Sequence, residues 1–193
     1  MKITKDMSDL FFKRTNEHVN RVKRNGLRLM KGLLSEDNQD ISLTDFAVQI
    51  GDHDWLKFKY PELNPYIIRT SKMRAERLGT EFPQLSEGLL EEIDRAVYHH
   101  VEHTPHHPEH WDKDITFELF QQNQRTPGTY KTIAYDMDNE SIAEMVCDWT
   151  AVSQEFGGDS ALDWAESNVN YRWQFTPEQT ELIFHLIELL DNN

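Results

Sequence analysis

Residues 42–54 confine the fold more tightly than any other stretch, because an apolar helical stripe there runs straight into an adjacent His-Asp pair. Ser42 can cap a helix, with Asp45 three residues on as a weak form of the capping box. Leu43, Phe46, Ala47 and Ile50 then recur at helical spacing. Extending that stripe lands on His53, seven after Phe46, and on Asp54, seven after Ala47. A pair so placed lies on the buried side, where an unpaired carboxylate is costly and a metal ion makes it favourable. Imidazole and carboxylate cannot both enter the centre of one helix face, yet at a helix end both can reach one ion. His-Asp dipeptides are frequent by chance, so the remaining ligands must come from elsewhere in the chain.

The rest of the chain reads as further helices. A first one is expected from about Asp9 to Leu34, with Phe12, Val19, Val22, Leu29 and Leu33 as its stripe and Gly26 admitting a close neighbour. His18 lies beside that stripe. Ser35 to Asp40 is a polar loop, and Tyr60-Pro61-Glu62-Leu63-Asn64-Pro65 a proline-punctuated connection before a helical piece ending near Leu78. After a loop over Gly79 to Pro83, a helix from near Ser86 carries Leu89, Leu90, Ile93, Val97 and Val101, includes His100 in its stripe, and stops before Pro105. The stretch to about Asp136, with a Gln-rich segment and the turn Thr126-Pro127-Gly128, is uninformative. Ile142, Met145, Val146, Trp149 and Val152 mark the next helix, ended by Gly157-Gly158. Glu144 and Asp148 sit four apart on one flank of it, which fits either a surface pair or, for Asp148, partial burial. Asp159 or Ser160 starts a helix with Leu162, Trp164 and Ala165, and Thr176-Pro177-Glu178 starts a last one with Leu182, Ile183, Leu186 and Leu190. His185 has no evident partner. With no internal repeat and no run of alternating residues, the expected fold is all-α.

Composition narrows the function classes. The 193 residues suffice for one domain with a substantial core, and 38% hydrophobic content with five Trp argues for a folded globule. No apolar run approaches the ~20 residues of a membrane span, and Met1 to Asp6 lacks the apolar stretch of a signal peptide. The single cysteine, Cys147, excludes an intrachain disulfide and a cysteine-built zinc site, and suits a cytoplasmic protein. Any metal must therefore be held by His, Asp and Glu. The net charge of −14 is uneven: residues 1–34 hold nine Lys or Arg against three Asp or Glu. So acidic a body does not suit duplex nucleic acid, while the basic first helix is either a solvated face or a face toward an anionic ligand.

Six of the nine histidines fall within residues 99–110, in the run His99-His100-Val101-Glu102-His103-Thr104-Pro105-His106-His107-Pro108-Glu109-His110. Such a run is a solvated, pH-responsive loop or a contributor of ligands. Pro105, Pro108 and the closing Trp111 distinguish it from a low-complexity tag.

A His on a first helix, His-Asp ending a second and an Asp on a late helix together resemble the HD-domain metal-dependent phosphohydrolase superfamily, through His18, His53, Asp54 and Asp148. Four stretches are similar to an uncharacterised family of bacterial and phage proteins of unknown function. They are His18-Val19 with Val22, His53-Asp54 with Lys57-Phe58, His106-His107-Pro108-Glu109-His110-Trp111, and Glu144-Met145-Val146-Cys147-Asp148-Trp149. The superfamily resemblance implies an HD-domain-like helical bundle over residues 1–193, with a metal-site core over about 10–155 and C-terminal helices over 159–193. His18, His53, Asp54 and Asp148 would hold a divalent ion there. Neutral imidazoles with carboxylates suit Mn, Fe, Co, Ni or Zn, with Mg also admissible. Lys57 stands where single-metal nucleotidases of the superfamily often carry an acid. A lysine there resembles the cyclic-dinucleotide phosphodiesterase branch, in which it meets a substrate phosphate and extra histidines, here His100 and His107, hold a second ion. The Gly-Tyr-Pro signature of that branch is absent.

The expected activity is hydrolysis of a nucleotide or related small phosphate ester, with Asp54 and Lys57 catalytic and Lys57 and His103 facing the substrate. Two readings compete with it: an HD-like di-iron oxygenase, and a non-catalytic acidic protein that occupies a basic host protein. The oligomeric state stays open.

Overall fold

The computed structural model describes residues 1–36, 40–158 and 160–192. Residues 37–39 of the expected polar loop, Asp159 as a helix start and Asn193 lie outside the described residues. Eight α-helices account for most of the rest: α1 (Lys5–Ser35), α2 (Leu43–Gly51), α3 (Leu63–Leu78), α4 (Glu87–His103), α5 (Phe117–Arg125), α6 (Asn139–Phe156), α7 (Ala161–Asn168) and α8 (Pro177–Asn192). Short 3-10 turns occupy Trp55–Phe58 and Pro108–Trp111. Two residues each of β1 (Thr132–Ile133) and β2 (Trp173–Gln174) pair in parallel, Thr132 opposite Trp173.

Capping chemistry sets most of the starts. Thr4, Ser42, Ser86, Thr116, Asp138 and Ser160 each accept a hydrogen bond from a backbone N–H in the first turn of α1, α2, α4, α5, α6 and α7. The first helix thus begins at Lys5, four residues before the position its stripe suggested. Its buried side is also shifted: Phe11 is buried and Phe12 is 41% exposed. Phe11 keeps the three-and-four spacing with Thr15, His18, Val22, Asn25 and Leu29, whereas Phe12 lies one step around the helix and stacks on Phe58.

The main core gathers around α6, whose residues Ser141 to Cys147 are all buried. Val22, Leu29 and Leu33 of α1, Phe46 and Ile50 of α2, and Ile183, Leu186 and Leu190 of α8 pack with it. The side amides of Asn25 on α1 and Gln154 on α6 bond reciprocally, at 3.3 and 3.1 Å. A Cβ on Gly26 would lie 3.1 Å from Ile50, so this glycine is what lets α2 press against α1. Two smaller clusters join α1 to α3 and α4, through Phe11, Tyr66, Ile67 and Ala96 and through Ile68, Leu85 and Ile93. One long helix therefore forms a wall of both packing regions. His185, which lacked an evident partner in the sequence, meets Glu36 at 2.8 Å. Among the described residues no helix is long and apolar enough to cross a membrane.

Candidate metal centre

The His-Asp pair enters the interior by a turn rather than by continuation of the α2 stripe. The helix stops at Gly51, Asp52 caps its end, and Asp54 takes a left-handed backbone, φ 61° and ψ 12°, before the 3-10 turn. Aspartate tolerates that conformation better than branched residues do. The turn leaves His53 3% and Asp54 2% exposed.

Four side chains from three parts of the fold converge there. His18 Nε2 on α1 lies 2.9 Å from Asp148 Oδ1 on α6, 3.3 Å from His53 Nε2 and 3.7 Å from Asp54 Oδ2. His53 Nε2 is 3.8 Å from both Asp54 Oδ2 and Asp148 Oδ1. The other nitrogen of His53, Nδ1, bonds Glu144 Oε1 at 2.8 Å. A proton on Nδ1 leaves the Nε2 lone pair free for a cation, as in carboxylate–histidine–metal arrangements.

A second group adjoins the first through Asp54. Its Oδ1 lies 3.1 Å from His100 Nε2, while His106 and His107 bring ring nitrogens beside that of His100. The His106 ring also lies 4.5 Å from that of His53, and its Nδ1 3.0 Å from Glu144 Oε1. Despite its closeness to His100, Asp54 Oδ1 has no aligned donor. It, His100 Nε2, His106 Nε2 and His107 Nε2 are buried atoms without a hydrogen-bond partner. Leaving four such groups unsatisfied costs several kcal/mol, ~1–3 each. A lone pair on each is what a divalent cation requires, so the residues present fit one.

Electrostatics favour the same state at five of six groups, with His106 the exception. Burial opposes ionisation of Asp54, but Lys57 and His53 outweigh it and hold its carboxyl well below the ordinary range. Burial likewise opposes Asp148 and Glu144, and the histidines around them prevail in the same direction, His18 for Asp148 and His106 for Glu144. Burial pushes His53 down and His107 well down; for His106 the Glu144 carboxylate overcomes burial and raises it.

A cleft of about 150 Å³ opens onto the first group, lined by His18, Asp54 and Asp148 with the cations Arg14, Lys57 and Arg69. Lys57 Nζ reaches Asp54 Oδ2 at 2.7 Å, and Arg14 Nε donates to Glu155 at 2.6 Å. Arg69 lies 6.0 Å over the Tyr66 ring and has no carboxylate at ion-pair distance among the described residues.

Of the residues singled out in the sequence, His18, His53, Asp54, Asp148, Lys57, His100 and His107 come together here. His103 does not. Its side chain is 52% exposed, stacks on His99 and bonds the carbonyl of His99 on its own helix, one turn from His100 but on the solvent side. His106, Glu62 and Arg69 are not among the residues the sequence places at the site. His106 had a signal, the His106-His107 dipeptide, but follows a proline break where no stripe assigns a face. Glu62 and Arg69 acquire their surroundings only from packing between helices. The rest of the histidine run braces the fold: Glu109 accepts from Trp173 Nε1 at 3.0 Å, Trp111 Nε1 donates to the Pro105 carbonyl, and His110 bonds the Glu102 carbonyl.

The described residues thus form an all-α fold with clustered His, Asp and Glu that can hold a metal ion. The chain belongs to DUF5662, a family of unknown function, whose profile matches residues 7–189. No curated protein and no solved structure matches it.

Proposed function

We propose that this chain is a metal-dependent phosphohydrolase built as one HD-like helical domain, acting on a nucleotide or a related small phosphate ester. The observation that carries the reading is the convergence of His18, His53, Asp54 and Asp148 beside a cleft that His18, Asp54 and Asp148 line together with Arg14, Lys57, Arg69 and Glu155. A divalent ion bound by those four residues supplies polarisation of a phosphoryl oxygen and a water of lowered pKa. Glu144 holds the His53 ring and its tautomer. Arg69, with no acidic partner at ion-pair distance among the described residues, is free to bond a substrate phosphate, and Lys57 stands between that phosphate and Asp54. Bidentate donors suit a compact ester, and the acidic surface disfavours a long polyanion.

His100, His106 and His107, with Asp54 beside them, would hold a second ion in this reading. The donor set selects Mn, Fe, Co, Ni or Zn, with Mg as the harder alternative.

Metal analysis of the purified protein, then phosphate release from a panel of nucleotides with added Mn, Co or Mg, tests the proposal. His53→Ala and Asp54→Ala are expected to strip the ion of the first position and abolish release while remaining helical by circular dichroism. A variant retaining full metal content and turnover overturns the ligand assignment. Oxygen consumption without phosphate release replaces hydrolysis by the oxygenase reading.

A further inference from the structure

Glu62 belongs to neither ligand group, yet its side chain is fully buried at the entry to α3. No Lys or Arg lies at ion-pair distance among the described residues. Instead its two oxygens are divided between adjacent histidines of α4: Oε1 takes Nδ1 of His99 at 2.8 Å and Oε2 takes Nδ1 of His100 at 3.0 Å. Removing a carboxylate from water costs several kcal/mol unless donors replace the lost hydration, and here two imidazoles do so. Neighbouring residues on a helix diverge by about 100°, so a single carboxylate reaching both rings fixes both.

The consequence differs between the two rings. His99 is partly exposed and stacks on His103, away from the second ligand group. His100 is 2% exposed, and once Nδ1 donates to Glu62 its Nε2 carries the lone pair. That Nε2 is the atom 3.1 Å from Asp54 Oδ1 and beside the nitrogens of His106 and His107. Glu144 stands in the same relation to His53, bonding Nδ1 and leaving Nε2 toward the first group.

We infer that Glu62 is the positioning residue of the second ion position, holding His100 in the tautomer and orientation that makes Nε2 a ligand. The inference rests on the proposed assignment of His100, His106 and His107 to an ion. A plain packing role, tying the start of α3 to α4, is the competing account. His99 separates the two, because it shares the tie and takes no part in the ion position.

The experiment titrates metal-free wild type, Glu62→Gln and His99→Ala with Mn(II) by calorimetry, and with Co(II) by its visible absorption. Wild type is expected to take two ions. Glu62→Gln should keep the first with unchanged affinity and bind the second about 10- to 100-fold more weakly, with an altered Co(II) spectrum. His99→Ala should match wild type. Equal weakening in Glu62→Gln and His99→Ala, or no weakening in Glu62→Gln, overturns the inference while two ions in wild type leave the ligand assignment standing. One ion in wild type overturns the second position and this inference together, and none in wild type removes the functional reading as well. Should Glu62→Gln fail to fold, 15N-histidine spectra of zinc-loaded wild type decide. A proton on Nδ1 of His100 with Nε2 bound to zinc supports the inference, and a proton on Nε2 overturns it.

Discussion

At Asp54 the two carboxylate oxygens face different company. Oδ2 meets Lys57 at 2.7 Å and the Nε2 atoms of His18 and His53 at 3.7 and 3.8 Å, whereas Oδ1 meets His100. Lys57 therefore balances a buried charge on one side and lines the cleft on the other. Lys57→Ala should raise KM for a phosphate ester about 10- to 100-fold, the loss of one charge-assisted hydrogen bond, and leave metal content intact. Steady-state kinetics beside metal analysis checks this; unchanged KM confines Lys57 to Asp54. The candidate ligands legible in the sequence were His18, His53, Asp54, His100 and Asp148, each tied to a stripe or to its end, and His107 just past the break at Pro105. His106 was not, although it is 1% exposed, because its burial comes from the loop after Pro105 setting it against His53 and Glu144. Glu62 sat in a stretch that read as a mere connection, and its importance depends on α4 arriving above it.

Among the helices, the contact of α1 with α2 has the most direct bearing on the site, since α2 delivers the His-Asp turn. Gly26 leaves just enough room for Ile50. Gly26→Leu is expected to destabilise the fold by about 1–3 kcal/mol through overpacking. It should also weaken metal binding, because Ile50 lies three residues before His53. Chemical denaturation and metal titration of this variant check both; a fully stable protein with native affinity refutes the account. Elements with dense stripes were legible from sequence to within a few residues. The helix α5 was not: it buries only Phe120 and Asn123, too few positions to show a period. The parallel pair of β1 and β2, two residues each, is too short for any alternation to register.

For the molecule as a whole, acid should be the sensitive direction. Asp54, Asp148 and Glu144 have folded pKa values below their ordinary ones, so their stabilisation is present above pH ~4 and lost as the pH falls through the depressed values. His53 and His107, also depressed, add stability that is present above ~6.5 and declines below it. His106, raised, works the other way, stabilising below ~6.5 and losing that contribution as the pH rises through its folded value. With five groups against one, the melting temperature of chelator-treated protein is expected to fall between pH ~6 and ~3. A flat or rising profile in thermal scans refutes this.

The wide spacing of the site along the chain has a consequence for its birth on the ribosome. His53 and Glu144 are 91 positions apart, and Asp148 follows later still. During synthesis His18, His53 and Asp54 emerge long before Glu144 and Asp148, and the loop between them must close before the first group is complete. A nascent chain halted before α6 thus lacks Glu144 and Asp148, and only a chain that includes α6 gathers all four residues of the first group. An ion captured there would act as a final latch, adding stability in proportion to the logarithm of free metal.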